Sequence, residues 1–213
     1  MIARIRLAAA LAAAGLLAAG CGSTTAHDHS AASPPATVSG AQHRYAGINL
    51  ADPYHRPSFT LTDTAGKPFD FTTTTAGRPT LLYFGYSRCP DVCPTTMADI
   101  AVALRGLDKA VADTVQVVVV TTDPAHDTSA VLGEYLHRFD ADLPVRFVGL
   151  TGNQDAIDQA QLSAGVPLAE DDGKTHSSLL LLYGNDDQAH VAFNAGNTPK
   201  DIASDLRQVM GAS

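Results

Sequence analysis

The sequence predicts an α/β fold of three layers, a central mixed sheet flanked by helices, with an extra N-terminal β-hairpin. Three observations lead there. Short, nearly continuous apolar runs at residues 80–86, 115–120 and 178–183 read as buried strands, because a strand covered on both faces needs no polar alternation. Segments between these runs carry apolar residues every three or four positions and read as helices covering the sheet. The 213 residues are 45% hydrophobic and 17% charged, which suits a single sizeable core and excludes a disordered or fibrous chain.

Each element has its own justification. Phe59-Thr60-Leu61-Thr62 and Phe69-Asp70-Phe71 alternate apolar and polar residues around the turn-forming stretch 63–68, a hairpin signal. The run at 80–86 follows Pro79 and suits a central parallel strand. Met97, Ile100, Ala101, Leu104, Leu107 and Val111 share one helix face. Pro94 sits in the first turn, where a missing N–H costs nothing. Residues 115–120 are rich in β-branched side chains and read as a strand. Residues 127–139 are helical in pattern, with Asp127 and Thr128 as expected caps. Residues 145–148 read as a strand, and Asn153 as the cap of a helix carrying Ile157, Ala160 and Leu162. After the run at 178–183, Asn185-Asp186-Asp187 forms a turn and residues 190–193 a partner strand. Thr198-Pro199 starts a last helix with Ile202, Leu206 and Val209 on one face. The order βαβ, then ββα, with cysteines at the first strand–helix junction, is that of a thioredoxin-like domain.

Residues 1–20 read as an export signal. Arg4 and Arg6 precede an uncharged Ala/Leu-rich stretch too short for a transmembrane helix. Leu17-Ala18-Ala19-Gly20-Cys21 resembles the lipobox of bacterial lipoproteins, with Ala18 where Leu is commoner. Cys21 is therefore the expected lipidation site, and the expected location is extracytoplasmic, anchored to the cell membrane. Residues 21–44 lack apolar periodicity and read as a flexible tether; His27 and His29 lie in it, as solvated linker residues first and metal ligands second. The folded domain is expected at 45–213. Loss of Arg4 and Arg6 leaves 12 basic residues against 22 acidic. That balance argues against nucleic acid as a partner, since phosphate binding needs a basic patch. Three cysteines are too few for a disulfide scaffold, and outside the cytosol the remaining pair can form a disulfide.

That pair, Cys89 and Cys93, lies in Cys-Pro-Asp-Val-Cys-Pro between an apolar strand and a helix. A helix N-terminus offers unpaired N–H groups that favour thiolate. Two such thiolates can form a disulfide or clasp one soft metal ion. A structural staple explains the pair poorly, because small loops gain least from closure. Structural zinc usually needs four Cys/His ligands. Two thiolates with an imidazole suit copper. Among the histidines, His43, His55, His126, His137 and His190 read as surface or capping residues. His176, just before the apolar strand at 179–183, stands in a loop that a thioredoxin-like sheet places beside the cysteines.

The segment 84–97 closely resembles the Cys-Pro-x-x-x-Cys-Pro signature of the Sco/SenC family of copper-binding assembly proteins. Asp123-Pro124-Ala125-His126-Asp127-Thr128 resembles its Asp-Pro-x-x-Asp-Thr block, and Thr175-His176-Ser177-Ser178 its metal-binding histidine segment. The family often has an acidic residue where Thr175 stands. The resemblance covers roughly residues 48–210. It implies Cys89, Cys93 and His176 as ligands of a copper ion, Cu(I) or Cu(II), and Asp123 as a supporting acidic residue nearby. It also implies the partners: the copper-bearing subunit of cytochrome c oxidase, and an upstream copper donor or thiol reductant.

The expected function is thus a membrane-anchored copper chaperone for oxidase assembly. The alternative is a tethered thiol–disulfide oxidoreductase using Cys89 and Cys93 as its redox pair. A peroxidase of the peroxiredoxin kind shares the fold, but the Thr expected three residues before its reactive thiol is missing. A binding module that merely keeps the fold is the remaining class.

Overall fold

The structure is a computed structural model that describes residues 44–171 and 173–211. The expected signal segment, Cys21 and the tether up to residue 43, with His27, His29 and His43, lie outside these residues. In chain order the elements are β1 (Ile48–His55), β2 (Thr60–Asp63), β3 (Pro68–Asp70), α1 (Phe71–Thr75), β4 (Thr80–Gly85), α2 (Val92–Arg105), α3 (Lys109–Ala112), β5 (Gln116–Thr121), α4 (Ser129–Asp140), β6 (Val148–Thr151), α5 (Gln154–Ser163), β7 (Leu180–Tyr183), β8 (Gln188–Phe193) and α6 (Pro199–Gly211).

One eight-stranded sheet runs β1-β8-β7-β4-β5-β6-β2-β3. β4, β5 and β6 are parallel neighbours, and the other pairings are antiparallel. The central strands are buried on both faces, and their side chains alternate between two cores. Leu81, Tyr83, Val117, Val119, Leu180 and Leu182 pack with residues of α2, α4 and α6. Leu82, Phe84, Val118, Val120, Leu181 and Tyr183 pack with Phe71 of α1 and Ile157 of α5. That alternation makes the three layers, and the β2–β3 hairpin extends the sheet beyond β6 as an appendage.

Some local expectations shift. β1 had no sequence signal; it forms because β8 supplies the ladder, with an irregularity between Asn49 and Tyr54 where Pro53 is tolerated on an edge. Phe71 was expected to end a strand but opens α1, because the Asp70 carboxylate accepts from Thr73 N at 2.8 Å and caps the helix. α2 stops at Arg105 rather than reaching Val111. Gly106 N closes on Val102 O and Ala103 O, each at 3.1 Å, and Val111 belongs to α3. The strand expected at 145–148 begins only at Val148, since Phe147 N donates to the buried Asp140 carboxylate instead of a ladder. Leu162 lies 53% exposed, off the buried face of α5.

Candidate metal centre

The carboxyl ends of β4 and β5 meet the N-terminus of α2, the place where α/β sheets collect reactive groups. Cys89 lies in the loop after β4, and Cys93 is the second residue of α2. Both are reduced. His176 comes from the loop before β7. The Cys89 and Cys93 sulfurs and a His176 ring nitrogen lie within 4.8 Å of one another, forming a Cys/Cys/His group. The sequence-expected trio is therefore brought together. Among the described residues His55, His126, His137 and His190 take no part in that group. His126, His137 and His190 instead contact Asp123, Asp140 and Asp186.

The two sulfurs differ. Cys89 is half-buried. Burial raises its pKa, but N–H groups of Asp91, Cys93 and Val92 at the start of α2 outweigh burial and hold it below the ordinary thiol value. Cys93 N donates to Cys89 Sγ at 3.4 Å. Cys93 is 1% exposed, and burial first, then its hydrogen bond with Cys89, pushes its thiol up to about 12. Access is therefore from the Cys89 side, through a mouth of about 380 Å³ lined by Tyr86, Cys89, Asp91, Lys174 and His176.

His176 is oriented for ligation. Its Nδ1–H donates to Ser177 O at 2.9 Å, a tautomer assigned from the carbonyl's being only an acceptor. This leaves the Nε2 lone pair facing Cys93 Sγ at 3.4 Å, and such outer hydrogen bonds fix ligand imidazoles. Tyr86 packs edge-on to the imidazole, centroids 5.6 Å apart.

The surrounding clamps come from far along the chain. Asp127, expected as a helix cap, instead lies fully buried and accepts from Ser87 N at 2.9 Å, from Ser87 Oγ, and from Thr121 Oγ1 at 2.7 Å. It ties the cysteine loop to the end of β5, and Thr128 alone caps α4. Asp123 lies outside the Cys/Cys/His group. Its carboxylate takes Arg88, the residue before Cys89, at 3.0 Å and His126 at 2.8 Å. Burial raises its pKa, but those two partners hold the net value below the usual carboxylate range.

Two glycines went unread as site residues. A Cβ at Gly85 would lie 2.9 Å from Cys93 Sγ and 2.6 Å from the Tyr83 ring; a glycine closing an apolar strand was the available signal. Gly173, at φ +83°, presses so closely on the strand end that a Cβ would lie 1.9 Å from Thr122 O. Thr122 Oγ1 donates to Gly173 O at 2.8 Å, holding the histidine loop to the end of β5. Thr175 closes that loop by exchanging backbone bonds with Glu170 and donating to the Asp171 carboxylate at 2.8 Å.

The donor chemistry fits a soft metal ion, with two sulfurs and one imidazole nitrogen converging and no carboxylate among them. A sequence model described as SCO1/SenC matches residues 49–211. A putative copper-binding protein of Stutzerimonas stutzeri is 36% identical over 136 residues, 61% of this chain and 64% of that protein's length. Bradyrhizobium japonicum ScoI with copper bound is 35% identical with a TM-score of 0.61, over 74% of this chain and 99% of the other. BsSco, described as a member of the Sco family of cytochrome c oxidase assembly proteins with a disulfide switch, is 25% identical with a TM-score of 0.59. That match spans 79% of this chain and 98% of the other.

Proposed function

The chain belongs to the SCO1/SenC family, and from that premise we propose that it is a copper chaperone binding one ion through Cys89, Cys93 and His176. The observation that carries this reading is the convergence of those three donors within 4.8 Å. The copper-bound ScoI relative supports copper as the ion. The family's role supports delivery to the copper-bearing subunit of cytochrome c oxidase, supplied by an upstream copper donor or thiol reductant. Cys21, lipidated at the end of a cleaved signal, would anchor the protein outside the cytoplasm; the lipobox-like sequence supports this. No helix among the described residues is long and apolar enough to cross a membrane.

The residues divide the work. Cys89 is the reachable thiolate and makes first contact with an arriving ion. Cys93 lies deeper and must lose its proton on ligation, which ties uptake to pH. His176 offers Nε2 while Ser177 holds its Nδ1. A partner receiving the ion approaches from the Cys89 side, since Cys93 is closed off. Oxidation of the pair to a disulfide removes both thiolates, so loading requires the reduced chain.

The inequality of the sulfurs also favours a second reading, thiol–disulfide exchange. Cys89 thiolate attacks a target disulfide. That attack frees one target thiol and leaves the other in a mixed disulfide with Cys89. Cys93 then attacks Cys89 Sγ and displaces this second target thiol, leaving the pair oxidised and the target reduced by two electrons. Metal analysis of reduced residues 45–213 separates the readings. One copper per chain, lost in both Cys89→Ser and His176→Ala, is expected. Exchange activity that survives His176→Ala while no form takes up copper would replace the chaperone by the oxidoreductase.

A further inference from the structure

Tyr83 lies beneath the thiol pair, outside the donor set. It projects from β4 at 1% exposure, and its hydroxyl donates to Cys93 Sγ at 3.6 Å. Its ring meets the His176 imidazole edge-on, with centroids 6.1 Å apart at 86°. One side chain thus touches two of the three donor residues. Gly85 permits this approach, since a Cβ there would collide with both the Tyr83 ring and Cys93 Sγ. The pocket on the inner side of Cys93, lined by Tyr83, Tyr86, Met97, Leu132 and Tyr135, has no room for a water molecule. Solvent therefore does not compete for the phenol. The Tyr86 N–H is the other donor facing this sulfur. Thr96, beside the phenol, gives its own proton to Val92 O at 2.9 Å.

The geometry points to Tyr83 as a positioning residue for the inner sulfur: its hydroxyl holds Cys93 Sγ toward His176 and draws electron density from it. Hydrogen bonds to a ligating sulfur, and the dryness around it, set donor strength and redox potential. The consequence for copper rests on the function proposed above. The hydrogen bond itself acts in the metal-free chain as well.

Tyr83→Phe removes the hydroxyl and keeps the ring. Loaded with Cu(II), the variant is expected to retain one copper per chain. Its sulfur-to-copper absorption band should move to longer wavelength and its Cu(II)/Cu(I) potential should fall, because the sulfur becomes a stronger donor. A merely structural role would not move these. In the metal-free chain, equilibration with glutathione reads the same bond. Oxidation joins the Cys89 and Cys93 sulfurs and splits one glutathione disulfide into two thiols. Disulfide sulfur is the poorer acceptor, so the variant should favour the disulfide by roughly threefold, the scale of one modest hydrogen bond. If Tyr83→Phe does not fold, 3,5-difluorotyrosine at position 83, a stronger donor, should shift both measures oppositely. A band and a glutathione equilibrium that both stay put overturn the role of Tyr83. A parent chain that takes no copper overturns the copper reading, and the glutathione equilibrium still decides Tyr83.

Discussion

Cys93 and His176 stand 83 positions apart, yet Cys93 Sγ lies 3.4 Å from His176 Nε2. The contact joins the start of α2 to the loop before β7. β7 pairs with β4, the strand that leads into the cysteine loop, so the sheet itself sets the separation. Each side of the contact is held separately, His176 by Ser177 O and the cysteine loop by Asp127.

The two thiols should differ in reactivity and in proton release. Cys89 sits below the ordinary thiol value and is half-buried, whereas Cys93 is closed off with its pKa near 12. In the reduced metal-free chain, iodoacetamide at neutral pH should label Cys89 first, read by peptide mass spectrometry. Between the two pKa values one proton leaves with Cys93 on metal binding. Affinity should then rise about tenfold per pH unit over that range. Equal labelling of both cysteines would contradict the arrangement.

Gly173→Ala should loosen the histidine loop without touching a donor. The residue combines φ +83° with a Cβ position 1.9 Å from Thr122 O, so the loop must move. A loss of about 2 kcal/mol or more in chemical denaturation is expected. Metal affinity should fall as well, although Cys89, Cys93 and His176 all remain. Unaltered stability would mean that the loop is not pressed against β5.

Asp127→Ala leaves Ser87 N, Ser87 Oγ and Thr121 Oγ1 without their acceptor in a buried place. The expected cost is about 3 kcal/mol in urea unfolding. Loss of a surface helix cap alone would cost about 1 kcal/mol, and a value that small would return Asp127 to the role its sequence position suggested.

Asp123 should contribute to acid sensitivity. Its folded pKa lies below the unfolded value, against the pull of burial, because His126 and Arg88 favour the carboxylate. The stability it adds is therefore present above the unfolded pKa of about 3.9. It is lost as pH falls through the depressed folded value. Asp123→Asn should be less stable than the parent at neutral pH, with the gap closing below about pH 3 to 4. A gap that stays constant with pH in denaturant titrations would show that the ion pairs contribute nothing.

Legibility in the sequence followed the range of the interaction. The buried strands 80–85 and 116–121 were readable because burial on both faces leaves a continuous apolar run. β1 was not, because an irregular edge strand exists only through its pairing with β8. Periodicity also overran real ends. Leu107 and Val111 keep the helical spacing of α2, but Gly106 turns the chain before them. Asp127 looked like a cap because it precedes a helix, and its true partners, Ser87 and Thr121, belong to other segments.

The sequence by itself determined the thiol pair four residues apart at a strand–helix junction and the layered fold, both set by local spacing and pattern, while the resemblance to the Sco/SenC histidine segment singled out His176. Only the tertiary structure decided that Cys93 is the closed sulfur and Cys89 the open one, and which nitrogen of His176 faces them. It likewise decided that Gly85 and Gly173 must be glycine, and that Tyr83 lies beneath the site. Burial, hydrogen-bond direction and close approach depend on segments that meet only when β4, β5 and β7 assemble into one sheet.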